Sequence, residues 1–114
     1  MSFVPDRGDL VWINFDPQAG HEQAGRRPAL ILSPKAYNQK SGLMLACPIT
    51  RQAKGLRFEV MLDDDDTVSG VVLSDHLRSM DWKARRAERF GRISSKTLEQ
   101  VHDRVGALLQ FESS

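Results

Sequence analysis

Two polar segments of the sequence carry residue types that suit phosphate binding. The first, residues 18–27 (QAGHEQAGRR), places Glu22 close to Arg26 and Arg27, immediately before an apolar stretch. Arginine presents a planar fork that matches two phosphate oxygens, and it stays charged when it is partly desolvated. The segment therefore suits an anion that undergoes reaction. An exposed Glu–Arg pair that only fixes the loop would account for the same residues.

The second segment, residues 50–55 (TRQAKG), follows the apolar run LACPI. It supplies the Thr50 hydroxyl, the Arg51 guanidinium, the Gln52 amide and the Lys54 ammonium group, each of which can contact a phosphate. A polar hairpin loop in which Gly55 adopts a positive φ angle explains the same composition. Neither segment identifies a function by itself.

The apolar runs around these loops predict short strands. Runs rich in β-branched and aromatic residues, bounded by Gly, Pro or Asp, predict strands at residues 9–15, 29–33, 43–49, 56–62, 70–73, 77–82 and 89–93. A helical turn is predicted at 35–40. The segment 18–27 is long for a hairpin connection, and long loops on small β folds often carry function.

One amphipathic helix is predicted at the C-terminal end. Its apolar residues recur at spacings of three and four: Leu98, Val101, Val105, Leu108 and Leu109. Ser94 can cap the first turn, and Ile93 can contact Leu98 as a hydrophobic staple. Many short strands with one terminal helix predict a mainly β fold, a small curled barrel on which the helix packs.

Length and composition limit the class of protein. The chain has 114 residues, 40% of them hydrophobic, which predicts a single domain over 1–114 whose last few residues are disordered. Sixteen basic residues oppose fifteen acidic ones, so an attraction to nucleic acid depends on where the charges lie. The lone Cys47 sits in an apolar run and is expected to be a buried thiol, which fits the cytoplasm. No run is long enough to predict a membrane span.

In this order, the two polar segments resemble the MazF/PemK family of toxin endoribonucleases, also called mRNA interferases. The resemblance covers nearly the whole chain, through VPDRGDLVWINFDPQAGHEQAGRRPALILSP, YNQKSGLMLACPIT, QAKGLRFEV, VVLSDHLRSMDW and GRISSKTLEQVHDRVGALL. It implies an SH3-like barrel that forms a homodimer and cleaves single-stranded RNA without a metal or another cofactor. It also implies inhibition by a MazE-like antitoxin, with operator DNA bound only through the toxin–antitoxin complex and with no membrane association.

The resemblance also implies roles for individual residues. Arg27 in GRRP matches the catalytic arginine of the family, Thr50 in CPIT matches a motif threonine, and Glu22 in HEQAG matches a glutamate implicated in activity. These residues suit attack of a ribose 2′-hydroxyl on the adjacent phosphorus, with Glu22 either orienting Arg27 or acting as the general base. Contacts to RNA are expected from a second set: Arg26, Arg51, Gln52, Lys54, Asp75, His76 and Arg78.

Other interpretations of the sequence stay open at this point. His21 and His76 could act as an acid–base pair, or they could be surface histidines without a role. A toxin of the same fold could bind gyrase without nuclease activity, as CcdB-like toxins do, and a third possibility is an RNA-binding module without turnover. The acidic run 63–66 is expected to be a solvated turn. The basic residues of 83–92 are expected to form an exposed strand or loop, or an electrostatic guide for RNA or for an acidic antitoxin tail.

Overall fold

A computed structural model of the chain describes residues 3–15, 25–63 and 66–110. The predicted loop 18–27 is therefore described only from Gly25 onward, and Glu22, His21 and the last residues of the chain lie outside the described part. No helix in the described ranges is long and apolar enough to cross a membrane.

Seven antiparallel strands and two α-helices form the described structure. The strands are β1 (Asp9–Asn14), β2 (Arg26–Ile31), β3 (Leu43–Thr50), β4 (Glu59–Met61), β5 (Val71–Leu73), β6 (Arg78–Asp81) and β7 (Glu88–Arg92). Helix α1 spans Lys35–Ser41, helix α2 spans Ser95–Leu108, and a 3-10 turn at Ser74–His76 follows β5. The predicted mainly β fold with a C-terminal helix is confirmed.

Strand β3 organises the sheet, whose order is β4-β5-β3-β2-β1-β7. Its first half pairs with β6, and its last two residues, Ile49 and Thr50, pair with β5. Strand β2 pairs with the middle of β3 through Ala29–Pro48, Leu30–Cys47 and Ile31–Ala46. Because β3 exchanges one neighbour for another along its length, the sheet curls, and the end of β3 is brought beside the start of β2.

Both faces of the central strands are buried, which explains why their sequences are continuous apolar runs without a polar–apolar alternation. One face holds Leu10, Leu30, Cys47, Ile49, Val60, Val72 and Ile93, together with Val101 of α2. The other face holds Val11, Ile13, Ala29, Ile31, Met44, Ala46, Met80 and Trp82. Cys47 is fully buried, as predicted, and burial together with the nearby Asp75 carboxylate raises the pKa of its thiol to about 12.

Two strand boundaries differ from the sequence prediction. Strand β2 begins at Arg26 instead of residue 29, because Arg26 and Arg27 pair with Asn14 and Ile13 of β1. Strand β4 is shorter than the predicted 56–62, because the Glu59 carboxylate accepts hydrogen bonds from backbone N–H groups of 54–56 and holds that segment in a turn. The remaining predicted strands are each found within one or two residues.

The predicted N-cap of helix α2 is confirmed, but the predicted apolar stripe is not confirmed at the end of the helix. Ser94 is the N-cap and its Oγ accepts a hydrogen bond from Thr97 N at 3.2 Å. Val101 is fully buried, but Leu108 and Leu109 are about half exposed at 43% and 56%. The predicted apolar stripe is thus wrong for these two residues, because the last turn of α2 extends past the hydrophobic cluster on which Val101 packs.

The acidic run 63–66 was expected to be a solvated turn, and its two described members are joined as in a turn, because Asp66 N donates to the Asp63 carbonyl at 3.0 Å. The expectation that they are solvated is wrong, because both residues are half buried and their carboxylates are hydrogen-bonded. The Asp66 carboxylate accepts hydrogen bonds from Ser94 N at 2.8 Å, from Thr97 Oγ1 at 3.2 Å and from Asp63 N at 2.6 Å. Asp63 in turn accepts a hydrogen bond from the Ser94 hydroxyl. Negative charge at a helix N-terminus is favourable, so these two carboxylates fix the first turn of α2.

Candidate active site

A surface pocket of about 430 Å³ lies where the start of β2 meets the end of β3. Its walls come from β1, from β2, from the end of β3 with the loop that follows, and from the segment before β5: Trp12, Arg26, Arg27, Pro28, Ile49, Thr50, Arg51, Gln52, Val68 and Ser69. The volume falls within the range of small-ligand pockets. Five of the ten predicted site residues line this one pocket.

The sheet register places Arg27 and Thr50 together. Strands β2 and β3 pair at Ala29–Pro48, and extending that register by two residues sets Arg27 opposite Thr50. Both residues line the pocket, where Arg27 is exposed and Thr50 is half buried. In the described part of the chain, no residue accepts a hydrogen bond from the Arg27 side chain. Its guanidinium lies in the pocket wall, where it can contact an anion.

The Thr50 hydroxyl is oriented by the chain that follows it. Its Oγ1 accepts a hydrogen bond from Gln52 N at 3.2 Å, as in a Ser/Thr turn. A hydroxyl that accepts from the backbone keeps its own proton for donation to a ligand. Thr50 can therefore donate to an anionic oxygen while Arg27 supplies positive charge beside it.

Arg26 differs from Arg27 in that its guanidinium is already engaged. It donates to Asn14 Oδ1 at 3.2 Å, to the Arg86 carbonyl at 3.0 Å and to Glu88 Oε1 at 2.9 Å. Arg26 lines the pocket, but these three contacts tie it to β1 and β7. Its predicted contact to RNA stays a prediction, and the structure shows Arg26 stiffening the wall beside Arg27.

The loop after Thr50 is organised by Glu59 of β4. The Glu59 carboxylate accepts hydrogen bonds from the backbone N–H groups of Lys54 at 3.0 Å, Gly55 at 3.0 Å and Leu56 at 3.4 Å. Successive N–H groups directed at one carboxylate form an anion-binding nest, here filled by the protein itself. Arg51 and Gln52 line the pocket in front of this turn, whereas Lys54 is not among the lining residues.

Besides Lys54, three of the predicted RNA contacts lie outside this pocket: Asp75, His76 and Arg78. Asp75 and His76 are exposed on the 3-10 turn, 3.8 Å apart between Oδ1 and Nε2. The Arg78 guanidinium lies 5.8 Å from the ring centre of Phe15, the residue that follows β1. The structure therefore does not bring these side chains to Arg27 and Thr50, and their proposed contacts to RNA stay predictions.

The basic residues near β7 are mostly tied into the fold. Arg92 donates to the buried Asp9 carboxylate at 2.7 Å, and Arg89 lies 3.7 Å from the same oxygen. Arg85 donates to the carbonyl groups of Asn14 and Phe15. These three arginines thus hold β1 against β7 and the turn before it, which limits their use as an electrostatic guide.

Sequence reasoning did not single out Trp12, Val68 or Ser69, which also line the pocket. A large aromatic residue within the predicted strand 9–15 was a usable sequence signal for Trp12. No sequence signal marked residues 68–69, because only the pairing of β5 with β3 brings them beside Thr50. Among the described residues, no group of three or more His, Cys, Asp or Glu side chains could hold a metal ion.

Comparison with known proteins agrees with the fold. The family model for the PemK-like, MazF-like toxin of type II toxin-antitoxin systems matches residues 6–109. The endoribonuclease toxin MazF of Escherichia coli strain K12 is 44% identical over 107 residues, covering 94% of this chain and 96% of the relative. The chain therefore belongs to the PemK-like, MazF-like family of toxins.

Two solved structures support the same assignment. A crystal structure of MazF from Deinococcus radiodurans is 57% identical and superposes with a TM-score of 0.87, covering 96% of this chain and all of that one. A MazE–MazF complex from the same organism is 50% identical with a TM-score of 0.87, covering 97% of this chain and all of that one.

Proposed function

We propose that this chain is an endoribonuclease toxin that cleaves single-stranded RNA in the pocket lined by Arg27 and Thr50. Support comes from the family and from relatives named as endoribonucleases. The observation that carries the proposal is that an exposed guanidinium and an oriented hydroxyl lie in one pocket of nucleotide size. RNA cleavage needs such groups where charge develops on the reacting phosphate.

The chemistry that this pair suits is intramolecular transesterification. The ribose 2′-oxygen loses its proton and attacks the adjacent phosphorus, the bond from phosphorus to the 5′-oxygen breaks, and the leaving 5′-oxygen takes a proton from water. The products are a 2′,3′-cyclic phosphate and a 5′-hydroxyl. Arg27 neutralises the charge on the phosphorane, and Thr50 donates a hydrogen bond to a non-bridging oxygen. Glu22 accepts the 2′ proton or orients Arg27, and Arg51 and Gln52 contact the neighbouring nucleotides. The reaction as written needs no metal.

The proposed function also includes the binding partners of the chain. Solved relatives titled MazE–MazF complexes support an antitoxin that inhibits this chain. We further propose a homodimer that cleaves at a short sequence motif and that reaches operator DNA only as part of the antitoxin complex. The rival function, gyrase binding without nuclease activity, is not favoured, because the relatives are named as endoribonucleases and the pocket combines Arg27 with Thr50.

The test uses Arg27→Ala and Thr50→Val, with Arg104→Ala on α2 as the control because Arg104 lies outside the pocket. Cleavage of a single-stranded RNA is followed in EDTA. We expect kcat to fall roughly 100- to 1000-fold in the Arg27 variant and about tenfold or more in the Thr50 variant. The control should retain full activity, and RNA with a 2′-deoxy residue at the cut site should stay intact. Undiminished cutting by Arg27→Ala, or dependence of the parent on a metal, would contradict the mechanism.

A further inference from the structure

Trp12 is an unusual residue in the middle of β1. Its neighbours Val11 and Ile13 are completely buried, while 37% of Trp12 is exposed. A large aromatic side chain in the centre of a strand normally contributes its area to the core, so an exposed one at this position calls for a reason beyond stability. The exposed surface of Trp12 forms part of the wall of the pocket that contains Arg27 and Thr50.

The indole ring packs against a second aromatic ring. The ring of Phe90 on β7 lies 4.8 Å from it between centroids, with the planes tilted by 32°. This spacing is typical of an offset aromatic pair, which stabilises the orientation of both rings. On the other side of β1, Trp12 is registered with Pro28, another pocket residue. The strand and Phe90 thus fix a flat apolar surface next to a cationic one.

We propose that Trp12 is the stacking platform for one unpaired base of the RNA, next to the phosphate held by Arg27 and Thr50. Proteins that bind single-stranded nucleic acid combine positive charge along the backbone with aromatic rings under the bases. Both parts are present here within one pocket of about 430 Å³. Stacking accepts any base, so Trp12 orients the nucleotide and excludes duplex RNA, whose bases are already stacked. The inference rests on the proposed function and assigns it a substrate contact.

Binding can be measured without cleavage by using a single-stranded oligonucleotide that is 2′-deoxy throughout. The chain has two tryptophans, and Trp82 is 6% exposed in the cluster on the opposite face of the sheet. We therefore expect the oligonucleotide to quench the tryptophan fluorescence of the parent and to leave that of Trp12→Phe unchanged. Fluorescence anisotropy of the labelled oligonucleotide gives Kd independently.

The variants separate stacking from packing. Trp12→Phe keeps an aromatic face, and its Kd for the oligonucleotide should stay within about threefold of the parent value. Trp12→Leu still covers Phe90 but has no π-face for a base, so its Kd should rise about 5- to 100-fold. Tyr37→Leu is the matched control, because Tyr37 is 42% exposed on α1 and lies outside the pocket. Its Kd should not change. Thermal unfolding of each variant reports whether the fold is kept.

The outcomes distinguish this inference from the proposed function. Quenching of the parent, with no RNA cleavage, would support the Trp12 platform and overturn the assigned activity. Cleavage by the parent, with no quenching and an unchanged Kd for Trp12→Leu, would overturn the platform and leave the activity in place. Because the quenching is read on the unaltered parent, the inference stays testable even if Trp12→Leu does not fold.

Discussion

Gly70 is the position at which a single methyl group should displace Thr50. A Cβ added to Gly70 would lie 2.3 Å from the Thr50 carbonyl oxygen and 2.9 Å from its carbonyl carbon. These are backbone atoms, so they cannot rotate away as a side chain can. Gly70 also has a φ angle of +124°, which disfavours any residue with a Cβ. The Gly70→Ala substitution therefore combines backbone strain with a steric clash against the end of β3.

The size of the effect follows from the distances. Left-handed backbone strain alone costs about 1–2 kcal/mol, and overpacking adds about 1–3 kcal/mol. Gly42→Ala is the matched control, because Gly42 has a φ angle of +76° and no atom within 4 Å of the added Cβ. At about 4 °C per kcal/mol, we expect the control to lose about 4–8 °C in Tm and Gly70→Ala to lose about 8–20 °C.

The activity should fall for a geometric reason. Opening the 2.3 Å approach to an ordinary 3.4 Å contact moves the backbone at Thr50 or Gly70 by about 1 Å. A displacement of about 1 Å in a catalytic group can cost about 100-fold. RNA cleavage by the parent, Gly70→Ala and Gly42→Ala is compared at 15 °C or another temperature at which all three are folded. We expect a loss of at least tenfold in kcat for Gly70→Ala alone. Equal kcat for the two variants would refute the placement of Thr50 in the reaction.

Three further substitutions test the supports of the site and of the fold. Glu59→Gln weakens the carboxylate that accepts from the turn 54–56, and it should raise KM for RNA several-fold more than it lowers kcat, with Tm lowered only slightly. Asp66→Ala removes hydrogen bonds to the first turn of α2 and should lower the free energy of unfolding, measured by urea titration, by about 1–2 kcal/mol. The control is Asp103→Ala, because Asp103 is exposed on α2, and this substitution should change the free energy of unfolding by less than about 0.5 kcal/mol. Burial raises the pKa of the Cys47 thiol from 9.0 to about 12, so the folded protein keeps this proton at a pH where the unfolded chain loses it. The contribution of the thiol to the free energy of unfolding is therefore full below pH 9 and falls by up to about 1.4 kcal/mol per pH unit above it. The free energy of unfolding of Cys47→Ala should fall less steeply than that of the parent between pH 8 and 10.5, and an equal slope would contradict the burial argument.

Most of the fold was predictable because the relevant signals are local. Apolar runs between Gly, Pro and Asp located the strands, and the spacing of Leu98, Val101 and Val105 located α2. Ser94 was recognisable as the N-cap because capping depends on residues within one turn. The errors occurred where a distant partner decides the outcome. Glu59 shortens β4 by binding the preceding turn, and pairing with β1 extends β2 back to Arg26.

The sequence by itself determined which chemical groups are available: two arginines before one apolar strand and a threonine after another apolar strand. Because the total charge is nearly neutral, the positions of the basic residues matter more than their number. Only the tertiary structure decided which of these groups lie together. The curl of β3 brings Arg27 and Thr50 into one pocket, commits Arg26 to Asn14 and Glu88, and leaves Arg78 beside Phe15. The physical reason is that sequence spacing fixes contacts along one strand or helix, whereas contacts between strands depend on sheet register, which involves residues far apart in the chain.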